Sequence, residues 1–462
     1  MSSEFSHIDD QLERVRRGFA DGVVRAVGDR ETQLRQLRRF LVEREDELTA
    51  ALRSDLGKSA MEAYSTEIGF TINEVDLALS EIRRWTRPER TKLPLHLKPG
   101  SAEIVPEPLG TVLVIAPWNY PLQLLLAPLV PALAAGNTVV LKPSEIAAAT
   151  ASTIARLLPD YLDTRAVQVV TGGVPETTKL LEERFDHIFY TGNGTVGKIV
   201  MRAAAEHLTP VTLELGGKSP AIVAADARLD VAARRIAWGK FINAGQTCVA
   251  PDYVLVEEAA ASPLLGELGR AIDSFYGDDP AASADYGRIV SDRHVQRLTA
   301  LLDADRGTVA IGGRSDRAER YLAPTVVTDV DPDGPLMSEE IFGPILPVIT
   351  VPSIDAAIDF VNGRPKPLAL YVFTERDAVA EKVVTHTSSG GATINHTLLH
   401  LAVPEFPFGG VGPSGMGSYH GKYGFDVFTH HKPVLDRATR PDPSLAYPSY
   451  GGLKEKLLRK LL

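Results

Sequence analysis

Apolar, β-branched runs alternate with segments of helical composition along most of the chain. In the first half these runs are TVLVIA (111–116), NTVVLK (137–142), AVQVVT (166–171), HIFYT (187–191) and PVTLEL (210–215). A second series comprises PAIVAA (220–225), YVLVEE, PVIT and ATIN (392–395). Strands that alternate with helices are typical of right-handed βαβ units and a parallel sheet. The sequence therefore predicts two α/β domains.

The segments around these series have a different character. From His7 to about Arg87, leucines recur at helical spacing and predict several amphipathic helices. Residues 88–108 contain five prolines and the alternating SAEIVPEP, which predict an extended arm or an edge hairpin. The stretch at 406–424 is too rich in glycine for a regular element and predicts a loop that crosses between the domains. FDVFTHHKPVLDR, which follows it, predicts a strand that pairs with the arm or with another subunit.

Length and charge exclude some classes of protein. A chain of 462 residues, 44% of them hydrophobic, is long enough for two or three domains with substantial cores. Its 49 basic and 59 acidic residues give a net charge of −10, so nucleic acid is not an expected partner. A single cysteine cannot form an internal disulfide, and the N-terminal residues lack the apolar core of a secretory signal. A cytoplasmic location is expected.

No integral membrane segment is expected either. The longest apolar stretch, at 127–135, is broken by prolines and is too short to span a bilayer. The ending GLKEKLLRKLL is amphipathic and basic, which allows contact with an anionic membrane, although such ends more often dock on the protein itself or fray.

A glycine pattern lies where one predicted strand gives way to a helix. HIFYTGNGTVGKIVMR has the spacing Gly192-x-Gly194-x-x-Gly197, which allows a pyrophosphate to approach the backbone at a helix N-terminus. The alternative is a glycine-rich turn without a ligand. The usual dinucleotide rule, an acidic residue about 20 positions later, points to Glu214.

A second pair of candidates for the same ligand lies upstream, in VVLKPSEIAAAT. Lys142 and Glu145 follow a predicted strand, at the sheet edge where ligands bind. The alternative is a helix capped by Ser144, with Glu145 in its first turn.

Cys248, in FINAGQTCVAPDY, is either a nucleophile or a small buried residue. A catalytic thiolate needs a proton acceptor and a donor to the oxyanion that forms when it attacks a carbonyl. Asn119, Glu214 and Glu340 are the candidates for these roles, because each follows an apolar run or a turn. No histidine lies in a motif typical of a papain-like hydrolase.

Seven motifs occur in order along the chain: PWNYP (117–121), LKPSE (141–145), FYTGNGTVGK (189–198), LELGGKSP (213–220), FINAGQTCVAPDY (241–253), EEIFGP (339–344) and PFGGVGPSGMGSYHGKYGF (407–425). Together they resemble the aldehyde dehydrogenase superfamily. The forms QTCVAPDY and GMGSYHGK are similar to its class 3 branch, which includes fatty and aromatic aldehyde dehydrogenases.

The resemblance implies an α/β fold with three parts. A Rossmann-like domain that binds NAD or NADP is expected at 1–88 and 106–212, and a second α/β domain, the catalytic one, at 213–411. Bridging or oligomerisation strands are expected at 89–105 and 426–438, and a tail at 439–462. The start is short compared with tetrameric relatives, so a homodimer is expected.

The resemblance also assigns roles to the candidate residues. Cys248 is the nucleophile, the Asn119 amide and the Cys248 backbone N–H form the oxyanion hole, and Glu214 is the general base. The residues implied to bind the cofactor are Trp118, Lys142, Glu145, Gly192, Asn193, Gly197, Leu215, Glu340 and Phe342. No metal site is predicted. Many members carry serine where this chain has Asn193, which leaves the pyrophosphate contacts open.

Within the cofactor set, the resemblance distinguishes three regions. Lys142 and Glu145 meet the adenosine ribose, so Glu214 is not the ribose ligand. Gly192 and Gly197 line the pyrophosphate turn. Glu340 and Phe342 position the nicotinamide ribose and ring.

The expected function is the oxidation of medium or long aliphatic, or aromatic, aldehydes to carboxylic acids through a cysteine thiohemiacetal and thioester. One alternative is an acylating enzyme that transfers the thioester to coenzyme A or phosphate. Another is a nucleotide-binding protein that kept the fold and lost the chemistry.

Overall fold

The computed structural model describes residues 5–442, 447–449 and 451–461. The helices are α1 Ser6–Asp21, α2 Val27–Glu43, α3 Glu45–Leu56, α4 Ala60–Ala63, α5 Gly69–Trp85, α6 Gln123–Ala135, α7 Ala148–Leu157, α8 Val174–Glu182, α9 Gly194–Glu206, α10 Leu229–Phe241, α11 Glu258–Tyr276, α12 Asp292–Ala304, α13 Pro335–Ser338, α14 Ile354–Asn362, α15 Asp377–His386, α16 Gly421–Val427 and α17 Leu453–Leu461. The strands are β1 Glu89–Thr91, β2 Gly100–Pro108, β3 Thr111–Ile115, β4 Thr138–Lys142, β5 Val167–Val169, β6 His187–Thr191, β7 Val211–Glu214, β8 Pro220–Val223, β9 Tyr253–Glu257, β10 Thr308–Ile311, β11 Ser315–Asp316, β12 Tyr321–Leu322, β13 Thr325–Thr328, β14 Ile345–Val351, β15 Ala369–Phe373, β16 Gly391–Ile394, β17 Gly415–Met416 and β18 Thr429–Arg437.

The first sheet has six strands in the order β17-β7-β6-β3-β4-β5. All of them run parallel except the short β17. β3, β4 and β6 are buried along their whole length, as expected of a parallel sheet that is covered on both faces. The five strands predicted from the first series are confirmed. Their carboxyl ends lie along one edge, where the motifs that follow them meet.

The second sheet has seven strands in the order β10-β13-β14-β9-β8-β15-β16, and only β10 is antiparallel to its neighbour. The four strands predicted from the second series are confirmed. The sequence did not reveal β10, β13 or β15. β15 is a continuous run of five buried apolar residues, and periodicity cannot distinguish such a run from a buried helix.

The third sheet joins the proline-rich arm to the C-terminal strand. β2 pairs with β1 on one side and with β18 on the other, where Pro108 lies opposite Thr429 and Gly100 opposite Arg437. The edge hairpin is confirmed, and β18 pairs with the arm. The strand predicted for FDVFTHHKPVLDR begins later than expected, because its first residues belong to α16. The expected domain boundary at 105–106 falls inside β2, and the division into domains stays a prediction.

The glycine-rich stretch at 406–424 is mostly loop, as predicted, but two of its residues form β17. Gly415 pairs with Glu214 at the end of β7. A Cβ at Gly415 would lie 2.3 Å from the carbonyl oxygen of Leu213, so only glycine lets the backbones approach this closely. The expectation of no regular element is therefore wrong at 415–416 and at 421–424, where α16 begins. The stretch covers the edge of the first sheet beside Glu214.

The helices predicted for the N-terminal segment are present. α2, α3 and α5 contribute buried residues to the same core as α6, whereas α1 packs Ile8, Leu12 and Val15 against the other face of the first sheet. At the C-terminus α17 leaves Leu453 74% exposed. Within the described residues, no helix combines the length and apolarity needed to cross a membrane.

Candidate active site

Cys248 follows a strained turn between α10 and β9. Asn243 and Ala244 in that turn have φ near +52° and +51°, which is rare for residues other than glycine. The thiol is half-buried. Burial, together with the nearby carboxylates of Glu340 and Glu214, raises its pKa to about 12. The two predicted carboxylates therefore lie close enough to act on the thiol.

Asn119 lies in the loop between β3 and α6, with 2% of its surface exposed. Its Nδ2 donates to the Gln246 carbonyl at 3.0 Å, and its own carbonyl accepts from Asn243 Nδ2 at 2.8 Å. A side-chain amide has two N–H groups, so one remains to donate to an oxyanion. This hydrogen bond to Gln246 joins the loop of Asn119 to the loop of Cys248, two residues before the thiol.

Glu214 ends β7 and is 2% exposed. Neither of its carboxylate oxygens has a hydrogen-bond partner among the residues that the structure describes. Burial raises the pKa of this carboxyl well above its usual range. Burying an unpartnered carboxyl is unfavourable, so the side chain is poised for a group that the protein itself does not supply, such as water or substrate.

Glu340 follows α13 and packs against the LELGG motif. A Cβ at Gly216 would lie 2.2 Å from Glu340 Oε2, so glycine is needed there for the carboxylate to fit. Burial raises the Glu340 pKa to about 8. The peptide beyond Glu340 is held by Asp252, whose Oδ1 accepts from the Ile341 N–H at 3.1 Å. Lys218 Nζ donates to the Glu339 carbonyl at 2.9 Å on the other side.

Phe342 and Trp118 meet edge to face, with ring centroids 5.3 Å apart. His294, on α12, lies 4.8 Å from Trp118. Phe342 has a φ of +49°, so the backbone is strained at the residue that carries this ring. Sequence reasoning missed His294, Asp252 and Lys218. Lys218 and Asp252 belong to quoted motifs, LELGGKSP and QTCVAPDY, but His294 lies outside every motif and has no sequence signal.

The glycine-rich turn joins β6 to α9. Asn193 caps the helix, because its Oδ1 accepts from the Val196 N–H at 3.0 Å, a role that serine fills equally well. A Cβ at Gly192 would lie 2.3 Å from Tyr190 Oη, and one at Gly197 would lie 3.1 Å from Leu215 Cδ2. A Cβ at Gly194 would meet no described atom within 4 Å. Packing thus explains two glycines, and the third faces open space.

Lys142 and Glu145 lie beyond the end of β4. Lys142 is buried, which lowers its pKa, and its Nζ is 3.8 Å from Glu145 Oε2. The side chain of Glu145 is 47% exposed. The alternative of a helix capped by Ser144 is wrong, because α7 begins only at Ala148 and has no side-chain cap. Glu145 is therefore free to bind a ligand at the sheet edge.

The model of the aldehyde dehydrogenase family matches residues 6–434 of the chain.

The chain belongs to the aldehyde dehydrogenase family.

Several relatives in the family match nearly the whole chain. The Mus musculus aldehyde dehydrogenase family 3 member A2 is 50% identical over 443 residues, which are 96% of this chain and 91% of the relative. The dimeric, NADP-preferring aldehyde dehydrogenase of Rattus norvegicus is 50% identical over 430 residues, 93% and 94% of the two chains. The 4,4'-diaponeurosporen-aldehyde dehydrogenase of Staphylococcus aureus is 48% identical over 423 residues, 92% of each chain.

A solved structure has the same fold. A substrate-bound state of Staphylococcus aureus AldH matches with a TM-score of 0.96 at 46% identity and covers 98% of this chain and 99% of that one. The class 3 resemblance and the aldehyde dehydrogenase fold are therefore confirmed. Members of the family are enzymes that oxidise aldehydes to carboxylic acids with NAD or NADP, and this chain is one of them.

The residues at the sheet edge fit such a dinucleotide. Open space faces Gly194 at the N-terminus of α9, where backbone N–H groups favour phosphate. Thr191 Oγ1, at the end of β6, is buried without a partner among the described residues. Glu145 offers a carboxylate to a ribose hydroxyl. The role of each residue stays a prediction.

Proposed function

We propose that this aldehyde dehydrogenase oxidises medium or long aliphatic, or aromatic, aldehydes through a covalent intermediate on Cys248. The observation that carries the proposal is the convergence of three groups on one half-buried thiol. Asn119 has an N–H to spare beside the Cys248 loop, and the carboxylates of Glu214 and Glu340 act on the thiol pKa. The substrate class is supported by the class 3 motifs and by the Staphylococcus aureus relative, which is named a 4,4'-diaponeurosporen-aldehyde dehydrogenase.

The chain's own residues account for the steps of the reaction. The Cys248 thiolate attacks the aldehyde carbon, and a C–S bond forms as the carbonyl oxygen becomes an oxyanion. Asn119 Nδ2 and the Cys248 backbone N–H donate to that oxyanion, an effect worth about 3–4 kcal/mol per donor. NAD or NADP, held by the residues at the sheet edge, would supply the hydride acceptor through which the adduct on Cys248 becomes a thioester. Glu214 then removes a proton from water, the water attacks, and the acid leaves as the thiol forms again.

Cofactor binding is proposed for the set predicted from the sequence. Lys142 and Glu145 would hold the adenosine ribose, and Gly192, Asn193 and Gly197 would shape the pyrophosphate turn. The remaining residues, which would contact the nicotinamide half or its surroundings, are Trp118, Leu215, Glu340 and Phe342.

The single cysteine makes the test direct. Purified enzyme should reduce NAD or NADP with a panel of aldehydes, and Cys248→Ala should abolish that reduction while thermal unfolding stays the same. Because no other thiol exists, mass spectrometry of enzyme quenched during turnover should find the acyl adduct on Cys248 alone. An alanine variant with full activity would contradict the mechanism.

The acyl acceptor is proposed to be water, because Glu214 supplies a base beside the thiol. Adding coenzyme A or phosphate should therefore leave the rate unchanged. A rate that rises with either acceptor would favour an acylating enzyme instead.

A homodimer is proposed as the assembly. It is supported by the rat relative, whose name describes it as dimeric, and by the exposed outer edge of β18. The cytoplasmic location stays a prediction, which fractionation of the native cells would test.

A further inference from the structure

Three charged residues of the N-terminal helical segment converge on the loops that carry Asn119 and Cys248. Lys58 follows α3, Glu62 lies on α4, and Glu67 lies on a single π-helical turn, Tyr64–Ile68. Lys58 and Glu67 are both 0% exposed, and their Nζ and Oε1 atoms are 2.5 Å apart. Turns of this kind occur often at functional sites, because the extra residue redirects a side chain.

Lys58 reaches the oxyanion loop itself. Its Nζ donates to the Asn119 carbonyl at 3.4 Å and lies 3.9 Å from the centroid of the Tyr120 ring. The same carbonyl accepts from Asn243, in the turn before Cys248. The backbone of Asn119 is therefore held between the ammonium of Lys58 and the turn that leads to the thiol.

Glu67 anchors the other end of that loop. Its Oε2 accepts from the backbone N–H of Leu122 at 2.9 Å and of Gln123 at 3.2 Å, at the start of α6. α6 has no side-chain cap of its own, so Glu67 supplies from a distant segment what a local capping residue normally supplies. The start of α6 fixes the position of Asn119, a few residues earlier.

Glu62 contacts the nucleophile loop. Its Oε1 accepts from the backbone N–H of Asn243 at 2.9 Å, where the backbone is strained with φ near +52°. A strained conformation persists only when the surroundings hold it. This carboxylate is one of the groups that does so.

Stability alone is a weak reason for such an arrangement. Removing a buried lysine and a buried carboxylate from water is unfavourable, and replacing a buried ion pair by apolar residues is often neutral or stabilising. The geometry is better explained by what the pair contacts, which is the backbone of Asn119 on one side and the start of α6 on the other.

We propose that Lys58, Glu62 and Glu67, here called the N-terminal brace, position Asn119 and the turn before Cys248 for the reaction. They are positioning residues, because none of them touches the reacting atoms. The proposal rests on the proposed function, since it takes Asn119 as a donor to the oxyanion. A shift of about 1 Å in such a donor lowers a rate up to about a hundredfold.

The test is a double-mutant cycle between Glu67 and Asn119. Asn119→Ala should lower kcat about a hundredfold. Glu67→Gln should lower kcat about tenfold and change KM less, because it misplaces a group that acts in the transition state. In the Asn119→Ala background, Glu67→Gln should change kcat less than about twofold, since the group it positions is gone.

A paired substitution separates positioning from stability. Lys58→Met with Glu67→Gln removes both buried charges together, so the unfolding temperature should recover relative to Glu67→Gln alone while kcat stays low. Glu31→Gln is the matched control. It breaks the ion pairs that Glu31, a buried residue of α2, makes with Arg35 of the same helix and Arg83 of α5. It should lower the unfolding temperature and leave kcat unchanged. If the paired variant does not fold, Glu62→Ala carries the same test.

Two results would overturn the proposal, and they differ. The first is a folded Glu67→Gln variant with wild-type kcat, or a Glu67→Gln substitution that lowers kcat by the same factor in the wild-type and Asn119→Ala backgrounds. Either would show that the brace does not act through Asn119. Asn119→Ala with wild-type kcat would instead remove the oxyanion role from the proposed function. The brace would then have no catalytic group to position.

Discussion

At the scale of single residues, the site opposes ionisation of its own acids. Cys248, Glu214 and Glu340 share a poorly solvated region, and burial raises the pKa of all three. The two carboxylates also disfavour the thiolate of Cys248. Which group gives up its proton first therefore decides how the reaction runs.

Glu214→Gln separates two possible tasks of this carboxylate. If Glu214 activates water, turnover should fall about a hundredfold or more. Alkylation of Cys248 by iodoacetamide should not slow, because removing a negative charge lowers the thiol pKa. Stopped-flow assays of turnover and labelling rates at pH 8 measure both. Alkylation that slows in parallel with turnover would show that Glu214 deprotonates the thiol instead.

Glu145→Gln should shift cofactor preference toward NADP. The carboxylate is exposed at the sheet edge, and removing its charge relieves repulsion of a 2′-phosphate. The ratio of kcat/KM for NADP to that for NAD should rise. Glu206→Gln, at the C-terminal end of α9 and so away from the pyrophosphate turn, also removes one carboxylate and should leave the ratio unchanged. An unchanged ratio in Glu145→Gln would count against Glu145 as the ribose ligand.

At the scale of elements, the β6–α9 unit shows how one glycine pattern serves two purposes. Gly192 and Gly197 are explained by contacts with Tyr190 and Leu215, whereas Gly194 has no such explanation among the described residues. Only Gly194 distinguishes a ligand site from a compact turn.

Gly194→Ala should therefore weaken cofactor binding without destabilising the fold. Alanine is the better helix former by up to about 1 kcal/mol, and its Cβ meets no described atom, so the unfolding temperature should stay the same or rise. The dissociation constant for NAD or NADP, measured by calorimetry, should increase. Unchanged affinity would favour the turn without a pyrophosphate.

The first residue of β6 makes stability depend on pH. His187 is buried, and desolvation lowers its pKa from 6.5 to about 4, so the unfolded chain binds a proton in this range that the folded chain does not. Stability should fall as pH drops below 6.5, by about 2 kcal/mol from this group at pH 5. Urea unfolding at pH 7 and pH 5 measures the difference. It should shrink in His187→Gln and persist in the control His207→Gln, an exposed residue.

At the scale of the whole molecule, β18 is the surface most suited to assembly. It is nine residues long and mostly exposed, and within the described residues its outer edge has no strand partner. Such an edge is a template for pairing with another chain.

Leu435→Lys on this strand should disrupt the proposed dimer. Leu435 is exposed and apolar, and a charge there would have to be buried on pairing. Light scattering should give twice 49.9 kDa for the parent enzyme and 49.9 kDa for the variant. Leu208→Lys, at a still more exposed leucine after α9, should remain dimeric. A parent enzyme that is itself monomeric would remove the proposal of a dimer.

The sequence by itself determined the alternation of strands and helices, because burial on both faces of a parallel sheet requires continuous apolar runs. It also determined which residues carry chemistry, because the motifs keep thiol, amide and carboxylates in family order. It did not reveal β15, whose apolar run has no diagnostic period, or α16, whose alternation resembled a strand.

Only the tertiary structure decided which residues support the site. His294 packs against Trp118, Asp252 holds the loop of Glu340, and the N-terminal brace holds Asn119 from more than fifty residues away in the chain. These side chains act through contacts between segments distant in sequence, and no local pattern encodes such contacts. The physical reason is that burial and hydrogen bonding depend on the neighbours that folding brings together.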